Sequence, residues 1–149
     1  MNVLIMRHGD AAALRAGADE DRHLTVDGRR ASEATAARLT GAWRPTQIYT
    51  SPLVRAVQTA ERVASVLEHE GEIVVVPALV PGGSAAHAFV ALSAHGAQDV
   101  VLFVSHEPTV RGLMGHLVGG AVPGFSTAEA RGVTIGVAGA THEVTFLAR

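Results

Sequence analysis

The opening residues constrain the fold most, because a short apolar run ends abruptly in a cation, an imidazole, a glycine and a carboxylate. The run from Val3 to Met6 does not alternate with polar residues, which is typical of a central strand covered on both faces. Arg7 and His8 follow at once, and Gly9 permits a sharp backbone turn. Ligands bind off the carboxyl ends of strands in open α/β sheets, so this strand end is a candidate site. Taken alone, Arg-His-Gly favours the plainer interpretation of a polar strand end.

Further apolar runs are separated by segments with helical spacing and helix-start signals. Strands alternating with helices predict an α/β fold with a mostly parallel sheet, in a single domain over residues 1–149. The other predicted elements are strands at 47–50, 73–76 and 100–104, helices at 25–41, 51–67, 84–94 and 108–119, loops at 11–23 and 121–131, and a terminal hairpin of 133–137 and 144–147.

Composition narrows the class of protein. Hydrophobic residues make up 48% of the 149 residues and charged residues 17%, which indicates a folded globular chain. A net charge of -2 gives no electrostatic footprint for nucleic acid or for an acidic membrane surface. No apolar run could cross a bilayer and no signal peptide is recognisable, so we expect a cytoplasmic monomer. With no cysteine, thiolate chemistry is excluded.

Three predicted strand ends carry groups that could hold an anion. Arg7 and His8 follow the first strand, Arg55 lies in the first turn of the helix after the second, and His106 follows the strand at 100–104. In a parallel sheet these ends share one edge. A cation in the first turn opposes the helix dipole unless an anion is held nearby, so Arg55 is either a solvated arginine or part of a phosphate site built with helix-terminal N–H groups.

The motifs at these ends occur together and in order. They are Arg7-His8-Gly9, Leu24-Thr25-x-x-Gly28, Ser51-Pro52-x-x-Arg55-Ala56-x-Gln58-Thr59-Ala60 and Ser105-His106. The ordered set resembles the histidine phosphatase superfamily, also called phosphoglycerate-mutase-like, over almost the whole chain. The compact length and the His106-x-Pro108 turn resemble most the small bacterial phosphohistidine phosphatases of that superfamily. The resemblance implies a three-layer α/β/α sandwich with the mostly parallel sheet at its centre.

The resemblance also implies roles for individual side chains. His8 would attack phosphorus and carry a transient phosphoryl group, while Arg7, Arg55 and His106 would hold the phosphoryl oxygens. Convergent cations suit this chemistry, since phosphoryl transfer is helped mainly by positioning and charge neutralisation, and they favour the neutral imidazole. No metal or other cofactor is expected, because a cationic pocket repels a metal ion. Arg22 is either a second phosphate contact or a surface loop arginine.

One departure from the superfamily bears on the substrate. Many members that act on phosphate esters have a glutamate proton donor in the loop after the third strand, whereas residues 78–86 contain no acidic residue. A phosphoimidazole releases a better leaving group than an ester does, so phosphohistidine on a protein is the expected substrate. A small-molecule phosphomonoesterase and a non-catalytic phosphate-binding regulatory module remain alternatives. Possible proton donors are Asp10, Asp19, Glu20 and Glu107, although we expect the Glu107 carboxylate to point away from the phosphate.

Overall fold

The computed structural model describes residues 1–13 and 16–147. Within them the chain forms six strands and four α-helices. The strands are β1 (Asn2–Arg7), β2 (Gln47–Thr50), β3 (Ile73–Val75), β4 (Val100–Ser105), β5 (Ala130–Gly136) and β6 (Gly139–Phe146). The helices are α1 (Val26–Ala36), α2 (Val54–Val66), α3 (Ala85–Ala88) and α4 (Thr109–Val118). Leu14 and Arg15 of the predicted 11–23 loop lie outside the described residues.

One mixed sheet holds all six strands in the order β3-β2-β4-β1-β5-β6. The first four strands of this order run parallel to one another. β5 is antiparallel to β1, and β6 is antiparallel to β5. β1 and β4 lie next to each other at the centre, where the fully buried apolar runs were predicted. Because both faces of these strands are covered, every residue from Val3 to Met6 is inaccessible to solvent.

Successive residues of β1 face two different hydrophobic cores. Leu4 and Met6 belong to the core that also contains residues of α1 and α2. Val3 and Ile5 belong to the core formed with α3 and α4. Burying each of these side chains stabilises the fold by about 1.5–3 kcal/mol. The helices therefore cover both faces of the sheet, which confirms the expected three-layer α/β/α sandwich with a mostly parallel centre.

Besides the terminal hairpin, three predicted elements differ most from the observed ones. The strand predicted at 73–76 as buried is β3, which lies at the edge of the sheet formed by the described residues, and its Val75 is 49% exposed. The helix predicted at 25–41 ends at Ala36, before a short 3₁₀ turn at Gly41–Trp43. The helix predicted at 84–94 is one turn of α-helix, α3, followed by 3₁₀ helix over Phe89–Ala94.

The terminal hairpin is longer than predicted. β5 begins at Ala130, which pairs with Met6 of β1, so the predicted 121–131 loop is shorter. The turn lies at residues 137 and 138 instead of around 139–141, since Gly136 pairs with Gly139. No helix in the described part of the chain is long and apolar enough to cross a membrane.

Two glycines allow the end of β1 to approach the start of α1. A Cβ atom on Gly28 would lie 2.1 Å from the Asp10 carbonyl oxygen, and a Cβ atom on Gly9 would lie 2.6 Å from the Gly28 carbonyl oxygen. The Thr25 hydroxyl caps α1 by accepting from the Gly28 N–H, and the Thr25 N–H donates to the Asp10 carbonyl at 2.9 Å. Gly9 is therefore needed for close packing against α1, beyond the turn predicted for it.

We expect Gly28→Ala to lower the free energy of unfolding by about 1–3 kcal/mol, because the added methyl group clashes with backbone atoms that cannot move independently. Gly112→Ala is the matched control: Gly112 lies within α4, and its Cβ would meet nothing within 4 Å. That change should raise the free energy of unfolding by about 0.5–1 kcal/mol, the usual gain for alanine inside a helix. Urea denaturation of both variants measures this, and equal effects would contradict the packing.

Candidate active site

Three neighbouring strands bring the predicted site residues to one edge of the sheet. His8 directly follows β1, His106 directly follows β4, and Arg55 lies in the first turn of α2 after β2. Because β2, β4 and β1 are adjacent and parallel, these ends lie side by side. The rings of His8 and His106 have centroids 5.0 Å apart. The sequence therefore placed Arg7, His8, Arg55 and His106 at one edge, and the structure brings them together.

The hydrogen bonds of His8 define its tautomer. Its Nδ1 lies 2.6 Å from the Gly9 carbonyl oxygen, which can only accept, so Nδ1 carries the ring proton. The other nitrogen, Nε2, keeps its lone pair and accepts a long hydrogen bond of 3.4 Å from Arg55 Nε. Gly9 in turn donates its N–H to the Thr59 hydroxyl at 3.0 Å, which holds the backbone on the N-terminal side of the residue whose carbonyl orients the ring.

The surroundings of His8 favour its neutral form. Burial is the main cause that lowers its pKa to about 4, and the charges of Arg55, Arg7 and Arg22 lower it further. The hydrogen bond to Gly9 opposes this shift. At neutral pH His8 is thus an uncharged imidazole with an unprotonated Nε2, which is the form required of a nucleophile.

His106 is almost fully buried beside His8. Its Nε2 lies 2.7 Å from the Ser51 hydroxyl oxygen, while its Nδ1 is buried without a hydrogen-bond partner among the described residues. Burial, followed by the charges of His8 and Arg55, lowers its pKa to about 3. The sequence predicted Ser51 as a helix cap, but α2 begins only at Val54. Ser51 instead holds His106, a contact across 55 residues that local signals cannot reveal.

Two arginines direct donors to this edge. Arg55 is 4% exposed and its terminal nitrogens donate to Asp19, to the carbonyl oxygen at 2.8 Å and to the carboxylate at 3.0 Å. Arg7 donates from one terminal nitrogen to the Phe125 carbonyl oxygen at 2.7 Å. Its Nε is buried and has no partner among the described residues. An unpaired buried donor is costly, so Arg7 is suited to an anionic acceptor that supplies the missing bond.

Asp19 connects Arg55 to Arg22. Its carboxylate accepts from Arg22 at 3.2 Å as well as from Arg55, and these hydrogen bonds lower its pKa. Arg22 also donates to the carbonyl oxygens of Ala11 and Ala12, so it links these two residues to Asp19 and contacts Arg55 through the Asp19 carboxylate. Because Asp19 is ionised at neutral pH, it has no proton to donate in this arrangement.

The other acidic candidates have different partners. Asp10 accepts from the Thr25 hydroxyl at 2.9 Å. The Glu107 carboxylate accepts from the Phe125 N–H at 2.8 Å and from Arg111 at 2.7 Å. Glu20 is exposed. No group of three or more histidine, cysteine, aspartate or glutamate side chains in the described part of the chain could hold a metal ion.

Two motif residues have supporting contacts that sequence reasoning did not assign. Thr59 accepts from the Gly9 N–H and donates to the Arg55 carbonyl at 2.7 Å, so it joins the end of β1 to α2. Gln58 accepts from the Leu24 N–H at 2.8 Å. The sequence feature that could have identified both residues is their position in the ordered motif after Arg55.

The site as a whole combines two arginines with two neutral imidazoles, which suits a tetrahedral oxyanion facing a nucleophilic nitrogen.

The buried neutral histidines also predict how stability depends on pH. An unfolded histidine binds a proton below a pKa of about 6.5, whereas folded His8 stays neutral down to about 4. The unfolded state therefore binds more protons in this window, and stability falls as the pH falls. Between about pH 5.5 and about pH 4.5, His8 should account for about 1 kcal/mol of the fall in the wild type's free energy of unfolding. The free energy of unfolding of His8→Asn should therefore fall by about 1 kcal/mol less over the same range.

Urea denaturation at a series of pH values tests this expectation. Above about pH 7.5 the unfolded imidazole is neutral too, so the wild type and His8→Asn should show the same pH dependence there. Parallel stability curves for the two proteins down to about pH 4.5 would show that His8 takes up a proton in the folded state as readily as in the unfolded one.

Comparisons with known proteins agree with the motifs. The family model of the histidine phosphatase superfamily (branch 1) matches residues 3–80. The chain is 37% identical over 143 residues to the phosphohistidine phosphatase SixA of Escherichia coli, covering 93% of this chain and 88% of that protein. It is 35% identical over 136 residues to the SixA homolog of Haemophilus influenzae, covering 80% and 78%. A solved structure of the protein histidine phosphatase SixA complexed with tungstate matches with a TM-score of 0.86 at 34% identity, over 99% of this chain and 97% of that one.

Proposed function

Because this chain belongs to the histidine phosphatase superfamily, we propose that it is a phosphatase that hydrolyses phosphohistidine on proteins through a transient phosphoryl group on His8. The family predicted from the motifs is confirmed. Relatives named as phosphohistidine phosphatases are similar over most of the chain. The observation that carries the proposed mechanism is the buried, neutral His8, whose Nε2 lone pair lies beside the guanidinium of Arg55.

In the proposed first step, His8 Nε2 shares its lone pair with phosphorus. The P–N bond of the substrate breaks, and its electron pair stays on the substrate imidazole. Arg7, Arg55 and His106 would bind the equatorial oxygens, where charge must be neutralised as the phosphoryl group moves. Arg55 would exchange its contacts with Asp19 for the phosphoryl oxygens.

In the proposed second step, water attacks the phosphoryl group on His8 and the Nε2–P bond breaks. His8 keeps its proton on Nδ1, hydrogen bonded to the Gly9 carbonyl, so the phosphorylated ring is a protonated phosphoimidazole. Such a ring leaves as neutral imidazole and needs no added proton. Inorganic phosphate is released and His8 returns to its starting tautomer.

The proposed substrate follows from the leaving group. An ester releases an alkoxide, which needs a proton from the enzyme, whereas a protonated phosphoimidazole releases a neutral imidazole. Residues 78–86 contain no acid, and Asp19 is ionised by its two arginine partners. Both observations support an N–P substrate over an O–P ester.

A comparison of substrates tests the proposal. Phosphate release is measured from a histidine-phosphorylated protein domain and from a phosphate monoester, each at matched concentrations in chelator. We expect the phosphohistidine substrate to have the higher kcat/KM. A preference for the monoester would instead assign the chain to small-molecule phosphomonoester hydrolysis. Phosphate binding without turnover of either substrate would identify a binding module and overturn the proposal.

A further inference from the structure

Residues 123–129, here called the support segment, run alongside the end of β1. The Glu129 carbonyl accepts from the Arg7 N–H at 3.0 Å, and the Ala128 N–H donates to the His8 carbonyl at 3.1 Å. The Phe125 carbonyl accepts from the Arg7 guanidinium at 2.7 Å. The segment therefore sets both the backbone of Arg7 and His8 and the position of the Arg7 side chain.

Buried charges hold the support segment in place. The Arg131 guanidinium donates to the carbonyl oxygens of Pro123 and Gly124 at 2.8 and 2.7 Å, and it lies 3.9 Å from the centroid of the Phe125 ring. Its Nε pairs with the Glu129 carboxylate at 2.6 Å, which also accepts from the Ser126 N–H. These contacts fix both ends of the segment. The Phe125 N–H takes no part in them and donates its hydrogen bond to a different residue.

Glu107 supplies that group. Its carboxylate accepts from the Phe125 N–H at 2.8 Å, while the carbonyl of the same residue accepts from Arg7. Phe125 is thus held on one side by Glu107 and holds Arg7 on the other. Glu107 directly follows His106, so one short stretch of chain positions two groups of the site.

We propose that Glu107 is a positioning residue for phosphoryl binding, which acts through Phe125 to fix the guanidinium of Arg7. This inference rests on the proposed role of Arg7. With one terminal nitrogen of Arg7 tied to Phe125, its buried and unpaired Nε is oriented for a phosphoryl oxygen. Glu107 holds the peptide group before the Phe125 Cα, and Glu129 holds the following peptide group, which carries the carbonyl, through the Ser126 N–H. Loss of the Glu107 acceptor releases the first of these two groups, so the Phe125 backbone can rotate and the guanidinium then samples orientations in which this bond is not made.

Three substitutions of Glu107 distinguish the effect of its side-chain length from the effect of its charge on kcat/KM. Glu107→Asp keeps the charge but withdraws the carboxylate from the Phe125 N–H, and Glu107→Ala removes the acceptor. Both should lower kcat/KM for the phosphohistidine substrate about 10- to 100-fold, since small misplacements of a catalytic group have effects of this size. Glu107→Gln keeps an acceptor oxygen at the same reach and should stay within about threefold of the wild type.

Arg111→Ala is the matched control, because it removes the exposed partner of Glu107 and leaves the bond to Phe125 intact. It should stay within about twofold of the wild type, as expected for an exposed ion pair. Equal losses in Arg111→Ala and Glu107→Asp would show that the ion pair matters and the bond to Phe125 does not, which overturns the proposal.

A double-mutant cycle tests whether Glu107 acts through Arg7. In an Arg7→Ala background, Glu107→Asp should weaken binding of inorganic phosphate no further, whereas in the wild type it should weaken it about 10-fold. Titration calorimetry measures this binding without turnover, so the result stands even if the chain does not hydrolyse phosphohistidine. Equal weakening in both backgrounds would overturn the positioning role.

Discussion

We expect His8→Ala to abolish hydrolysis of a phosphohistidine substrate, lowering kcat by roughly 10⁴-fold or more. The Nε2 lone pair of His8 is the nucleophile in the proposed first step, and the alanine side chain has no atom that can attack phosphorus. The arginines and His106 are unchanged, so inorganic phosphate should still bind. Initial rates of phosphate release and calorimetric phosphate binding measure the two effects separately.

His87→Ala is the control for this change. His87 is an exposed residue of α3 that has no role in the proposed mechanism, and its replacement should leave the rate of hydrolysis unchanged. Circular dichroism and thermal unfolding verify that both variants are folded. Hydrolysis by folded His8→Ala at the wild-type rate would rule out covalent catalysis by this residue.

Arg55→Lys has the second largest expected effect. Lysine keeps the positive charge but cannot reproduce the planar fork, which donates in two directions to Asp19 in this structure and would donate to two phosphoryl oxygens. We expect kcat to fall about 10²- to 10³-fold and phosphate binding to weaken as well, because the fork neutralises charge in both the bound state and the transition state. Steady-state kinetics and phosphate titration measure these effects.

Arg62→Lys provides the matched control. Arg62 lies on the same helix as Arg55, and it is about one-third exposed in an ion pair with Glu33. Its replacement should leave kcat and KM within about twofold of the wild type. A rise in KM alone for Arg55→Lys, with kcat unchanged, would mean that Arg55 binds the substrate and contributes nothing further in the transition state.

The sequence was most informative where short-range patterns determine structure. The runs at Val3 to Met6 and 100–104 could be identified as central strands because both faces are apolar. Because the carboxyl ends of parallel strands share one edge of a sheet, His8 and His106 could then be placed at that edge. Arg55 could be placed with them because it lies in the first turn after the second strand.

Contacts between distant parts of the chain could not be predicted from the sequence. The contact of Ser51 with His106 depends on the register of β2 against β4. The local sequence around Ser51 carries no information about that register and suggested a helix cap instead. The hydrogen bond from Arg7 to the Phe125 carbonyl joins residues 118 positions apart. Its acceptor is a backbone carbonyl, which no sequence motif identifies. Likewise, the edge position of β3 depends on which strands pair, since its apolar sequence resembles that of a central strand.

Trapping the phosphorylated enzyme distinguishes covalent catalysis by His8 from direct attack of water on the substrate. The wild type is mixed with a ³²P-labelled phosphohistidine domain, quenched in alkali on the millisecond scale, and digested for mass spectrometry. We expect an alkali-stable, acid-labile phosphoryl group on His8 that forms at least as fast as phosphate is released and is absent from His8→Ala. Phosphate release with no label on the enzyme at any time, or label on His106 instead, would contradict covalent catalysis by His8.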